Sequence, residues 1–208
     1  PPADEKLSEW RKHLGPLFEQ LERGTRIVRA TDPNHVIWFN HAPRNSMVDL
    51  TRFGKIADVV GCDIYPVPFG PNVGHSDLAE RNLASVGAYT QRMGRSAPGK
   101  PVWMVLQGFG WSDIGETSEE RPRPNFDQTR FMAYDAVVNG ARGILYWGTF
   151  AVEKDSRLWS DIKKVISEMH DLQPFLAAED ATERVKFNMH PSSGSGEKGV
   201  VMLAKEHN

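Results

Sequence analysis

Asn40 with His41, Asp63, Gln107 and Trp147 each stand where a hydrophobic run stops. The runs are Val36-Ile37-Trp38-Phe39, Val59-Val60-Gly61-Cys62, Val102 to Leu106 and Gly143 to Tyr146. A carboxylate directly after a buried run costs several kcal/mol if it is left unpaired, so Asp63 needs either a partner or a task. The structural alternative is an Asp bonded to neighbouring strand-end groups such as Asn40 or His41. Tyr65, two residues on, shares a strand face with Asp63 and could orient it. Gln107 offers both a donor and an acceptor. The acids Asp113, Glu116, Glu119 and Glu120 follow in one loop with Trp111, and Glu116 is a second candidate carboxylate.

These residues need elements to position them. Runs apolar on both faces are parallel strands buried between layers, because a half-exposed antiparallel strand would alternate. The expected strands span about 36–40, 58–65, 101–107 and 143–147. Helical spacing fills the intervals: about 4–30, with a kink or a break at Gly15-Pro16; 46–56, capped by Ser46 with Asp49; 77–94, stopped by Gly94; 125–140, opened by an Asn125–Gln128 capping box and closed by Gly140; and 156–177. The fold class is therefore α/β, with four consecutive βα units. In such folds reactive side chains gather where the strands end. The two long loops, 66–74 and 108–124, lie on that side while the return turns are short. From Glu183 the pattern alternates, and 185–189 with 200–205 predicts an antiparallel hairpin that opens a second domain.

Composition narrows the functions. A net charge of -2 with 25% charged residues gives no basic footprint for nucleic acid. No run approaches the ~18 apolar residues of a membrane span, and no signal peptide is evident. Cys62 is the single cysteine and lies inside a strand, so it is expected to pack as a small hydrophobe. There is no nucleophile elbow, zinc motif, paired CxxC or P-loop, so no metal and no cofactor is expected. A phosphate-binding barrel or flavodoxin-like fold is disfavoured, since no glycine-rich βα turn is present.

The stretches DPNHVIWFNHAPRN, ADVVGCDIYPVP, KPVWMVLQGFGW and FMAYDAVVNGARGILYWG, in this order and spacing, resemble the second half of clan A glycoside hydrolases. The likeness is to beta-galactosidase-like and uncharacterised bacterial members in which a β-sandwich follows the barrel. It implies half of a (β/α)8 TIM barrel over residues 1–180 and the start of a β-sandwich over 181–208. It also implies cleavage of β-linked sugars and a secreted or periplasmic setting. The four strands would be the fifth to eighth of the barrel. The acid/base Glu would lie upstream of Pro1, so the chain is expected to be a fragment. Its partners would be a glycoside and either an N-terminal half-barrel or a second copy of this chain.

Asp63 and Glu116 are then the candidate catalytic residues, and Asn40, His41, Tyr65, Gln107, Trp111 and Trp147 the substrate contacts. Trp147 matches the aromatic floor of the family's sugar subsite. The sequence departs from the pattern at Gln107, which stands where the nucleophilic Glu is expected. Retaining hydrolysis needs two carboxyl groups about 5 Å apart, and an amide cannot serve as one. A non-catalytic carbohydrate-binding chain is therefore the alternative.

Overall fold

The computed structural model describes residues 3–43, 45–68, 82–115, 120, 122–186 and 201–206. Four strands, β1 (Trp38–His41), β2 (Val59–Ile64), β3 (Val102–Gln107) and β4 (Ala141–Trp147), form one sheet in the order β1-β2-β3-β4. Every pair in it is parallel. Helices alternate with them: α1 (Ala3–Thr31), α2 (Met47–Gly54), α3 (Ser85–Ser96), α4 (Phe126–Val138) and α5 (Arg157–Asp171), with a short α6 (Gln173–Leu176).

Local chemistry sets several of these boundaries. Ser46 caps α2 by accepting the Asp49 N–H at 3.1 Å and donating its hydroxyl to the Asp49 carboxylate at 2.6 Å. Asn125 and Gln128 form the expected reciprocal capping box on α4. Helix α5 starts on Ser156 and stops at Leu172, because Pro174 opens the separate α6. The expected single helix over 156–177 is therefore two.

Three further expectations change. Helix α1 runs unbroken through Pro16. Pro16 has no N–H to offer the preceding turn, and the helix tolerates this where that turn, at Lys12, is exposed. Gly94 does not stop α3. The helix continues to Ser96, whose hydroxyl donates to the Met93 carbonyl, and the chain turns at Gly99 with φ +80°. The start expected for that helix, Asp77 to Arg81, lies outside the described residues.

Among the described residues the antiparallel pair joins β5 (Glu179–Asp180) to β6 (Lys205–Glu206). Of the expected 185–189 and 200–205 strands, 185–186 and 201–204 carry no strand, and 187–200 lie outside the described residues. Charge pairing holds this register: Asp180 meets the Lys205 ammonium at 2.6 Å and Arg142 at 2.6 Å.

Strand alternation separates two faces. Val60, Cys62, Ile64, Met104 and Leu106 point into the helix layer and meet Val86, Tyr89, Met93 and Met132 in the main core. Cys62 is a free, buried thiol there, as expected. The opposite face reads across the strands as rows. Asn40, Gly61, Trp103 and Gly143 form one row; Asp63, Val105 and Leu145 form the next; Gln107 and Trp147 form the last. The Trp103 indole lies across Gly143, where a Cβ would sit 2.6 Å from the ring. Both outer strands, β1 and β4, have one unpaired edge within this sheet. Beside β4 an apolar cleft of about 930 Å³ opens towards α5, lined by Ile144, Tyr146, Ile162, Ile166 and Met169.

Candidate functional site

The C-terminal ends of β1 to β4 bring together Asn40, Asp63, Tyr65, Gln107 and Trp147, which span more than a hundred residues of sequence. Parallel pairing alone requires this, since all four strands end on one side. Asp63 is the central carboxylate. It accepts from Asn40 Nδ2 at 3.1 Å and from the Tyr65 hydroxyl. Burial and the neighbouring Asp63 charge push the Tyr65 phenol up, so it stays a donor to the carboxylate at any ordinary pH.

Above this pair stands an aromatic cluster. The Trp147 ring stacks on Tyr65 with centroids 5.7 Å apart and planes at 24°. Phe109 meets both edge-on, at 5.1 Å from Tyr65 and 5.2 Å from Trp147. Trp111 packs edgewise on Tyr65 and Phe109. Phe150 packs edgewise on the far side of the cluster against Trp147. Tyr65 and Phe109 are buried, whereas Trp147 keeps 42% of its surface exposed. An apolar ring with one open side beside a carboxylate can take a ligand that has both a hydrocarbon face and hydroxyl donors.

Gln107 does other work than the sequence suggested. It is fully buried, and its amide is occupied by backbone. Its Oε1 accepts the Val67 N–H at 2.8 Å, and its Nε2 donates to the Val67 carbonyl at 2.6 Å and the Phe109 carbonyl at 3.1 Å. These three bonds tie the loop after β2 to the loop after β3, and they leave no donor for a ligand hydroxyl.

His41 points to the other side of the sheet from Asn40, as strand alternation demands, and packs on Phe39. Burial lowers its pKa, which keeps the ring neutral. It is not a partner of Asp63. Glu116, the second candidate carboxylate, lies outside the described residues. Asp113, three residues earlier, is held by the Arg123 guanidinium through two bonds of 2.8 and 2.7 Å and by the Gly110 N–H at 2.6 Å. Burial works against its charged form, but these donors outweigh it and hold the carboxyl below its ordinary range.

Phe109 was not singled out from the sequence, yet it is the hub of the cluster. Its signal was an aromatic set between Gly108 and Gly110 at a strand end. Gly148, with φ +83°, lies so close that a Cβ there would overlap the Phe109 ring. Among the described residues no group of three or more His, Cys, Asp or Glu side chains is placed to hold a metal. No protein-family model matches the chain, and no curated protein matches its sequence.

Proposed function

We propose that this chain is the sugar-binding C-terminal half of a glycoside-hydrolase-type βα barrel. The observation that carries the reading is the half-exposed Trp147, stacked on Tyr65 next to the Asp63 carboxylate. A pyranose has an apolar face of C–H groups and a rim of hydroxyls, and this arrangement offers a complement to each. Asn40 and Tyr65 hold the carboxylate in place, so its remaining acceptor positions need no reorganisation on binding.

Four parallel strands with two unpaired edges fit half of an eight-stranded barrel, because closure alone removes such edges. Helix number favours a complementary half over a second copy. The described chain has five helices of eight residues or more against the four strands of the parallel sheet. A βα barrel carries about one helix per strand junction, so two copies would crowd the ring, whereas a four-strand unit with helices only between its strands would complete it. Residues 181–208 then begin a β domain, held to the sheet through Asp180, which pairs with both Lys205 and Arg142.

A second reading, a binder without catalysis, is favoured by Gln107. Its amide is locked into backbone, and the described strand ends offer Asp63 without a second free carboxylate. Titration with β-linked disaccharides, followed by tryptophan fluorescence, tests binding. Trp147→Ala should weaken it at least about tenfold, the equivalent of about 1.4 kcal/mol. Turnover of an aryl glycoside that falls about tenfold or more in Asp63→Asn selects the hydrolase. Sugar binding with no turnover in the wild type selects the binder, and no binding to any β-linked sugar overturns both.

A further inference from the structure

We propose that Arg123 is a positioning residue that staples together the two chain segments whose rings form the aromatic cluster of this site. The proposal rests on the sugar-binding reading only for its consequence in affinity.

The rings come from two strand ends. Phe109 and Trp111 follow β3, whereas Trp147 ends β4 and Phe150 follows it. At their base the segments are joined by one backbone bond, Gly108 N–H to the Trp147 carbonyl at 2.9 Å. Farther out, Arg123 joins them. Its Nε and Nη2 grip the Asp113 carboxylate in a two-point bond, and its Nη1 meets Glu153 at 2.8 Å. Each carboxylate leads directly to the aromatic cluster. Asp113 accepts from Gly110, the residue between Phe109 and Trp111. Glu153 follows Val152, which is buried in the same cluster as Phe109 and Tyr65.

The anchor itself is firm, since Arg123 lies two residues before the capping box that starts α4. A guanidinium suits the position better than an ammonium. Its planar fork binds one carboxylate at two points and still presents a third N–H direction to the other, whereas an ammonium is a single point charge. The hydrogen bond from Arg123 also holds Glu153 below its ordinary carboxylate range. Both carboxylates therefore remain charged, and the staple intact, through neutral and mildly acidic pH.

The test uses Arg123→Gln, Arg123→Lys and Glu153→Gln. The last removes only the outer contact, whose carboxylate is largely exposed, and so spares the fold. Three readouts apply: near-UV circular dichroism of the tryptophans, acrylamide quenching of their fluorescence, and the dissociation constant for a β-linked disaccharide. Arg123→Gln should alter the dichroism, increase quenching and weaken the disaccharide at least about tenfold, with far-UV dichroism unchanged. Arg123→Lys should recover part of the affinity, and Glu153→Gln should fall between wild type and Arg123→Gln. Added salt should weaken wild-type binding while leaving Arg123→Gln unaffected, because the outer contact is screened. Wild-type dichroism and quenching in both Arg123→Gln and Glu153→Gln would overturn the proposal. If the wild type binds no sugar, the sugar reading fails, and the two optical readouts still decide the staple.

Discussion

The two faces of the sheet differ more than any other two regions of the molecule. On the helix side, Val60, Cys62, Ile64, Met104 and Leu106 are sealed under α3 and α4. On the other side, Trp38 and Trp103 lie against Gly61 and Gly143, Leu145 keeps 36% of its surface exposed, and among the described residues the C-terminal end is roofed by the loops that Gln107 ties down. Among the described residues the helix face is a closed core under α3 and α4 and open in the cleft beside β4, while the opposite face is covered at the candidate site. A βα chain covers one face of its sheet with its own crossover helices. An apolar face that those helices leave open is covered by some other element or by a ligand.

The sharpest way to break that contrast is Gln107→Glu. If Gln107 is a roof tie, a carboxylate there faces the Val67 and Phe109 carbonyls with no donor to offer, in a fully buried place. Chemical denaturation at neutral pH should show a loss of about 3 kcal/mol or more, relieved in part as acid protonates the new group. A variant as stable as the wild type would mean that the end of this face is open after all.

Leu106→Ala should cost about 3 kcal/mol, since the side chain is fully buried on the helix face and leaves a cavity. Urea melts at one pH are enough to measure it.

A smaller effect sits in the helix layer and is visible in pH. Asp135 on α4 accepts the Gly87 N–H at 2.6 Å, which supplies the start of α3 with the acceptor that Ala84, its own cap residue, lacks. Burial raises its carboxyl to about 6, against the lowering pull of Gly87 and Asn139. The unfolded chain releases this proton near pH 4, and the folded chain keeps it until about pH 6. Its contribution to stability is therefore fully present below about pH 4 and declines as pH rises to about 6. Thermal melts across that window should lose this slope in Asp135→Asn. An identical slope in the variant would assign it to other groups.

The smallest change is expected on the open face, where Leu145→Ala should alter the stability of the chain by less than about 1 kcal/mol. A loss as large as that of Leu106→Ala would mean that this face is packed in solution, for instance by a second copy, and would revise the contrast itself.

The order of elements was legible in the residues. Runs apolar on both faces read as parallel strands, and the Ser46 and Asn125 caps are local chemistry, so four βα units and two helix starts followed from sequence, although the second covering layer expected of such strands is not among the described residues. Convergence of Asn40, Asp63, Tyr65 and Trp147 followed too, because strand direction alone carries it. Local pattern was weakest where distant groups compete. Gly94 looked like a helix stop, but the bonds at Met93 carried α3 past it. The antiparallel pair at Glu179–Asp180 was not foreseen, because its register depends on Asp180 meeting Lys205 and Arg142, which are far from it in sequence. The roles of the polar residues were decided by tertiary structure alone. Whether Gln107 meets a ligand or the backbone depends on where the loop bearing Val67 comes to rest, forty residues away in sequence. Whether Asp113 is free or bound depends on Arg123 arriving from the far end of its loop. A side chain's type states what bonds it can make, and only the packed chain decides which of them are already taken.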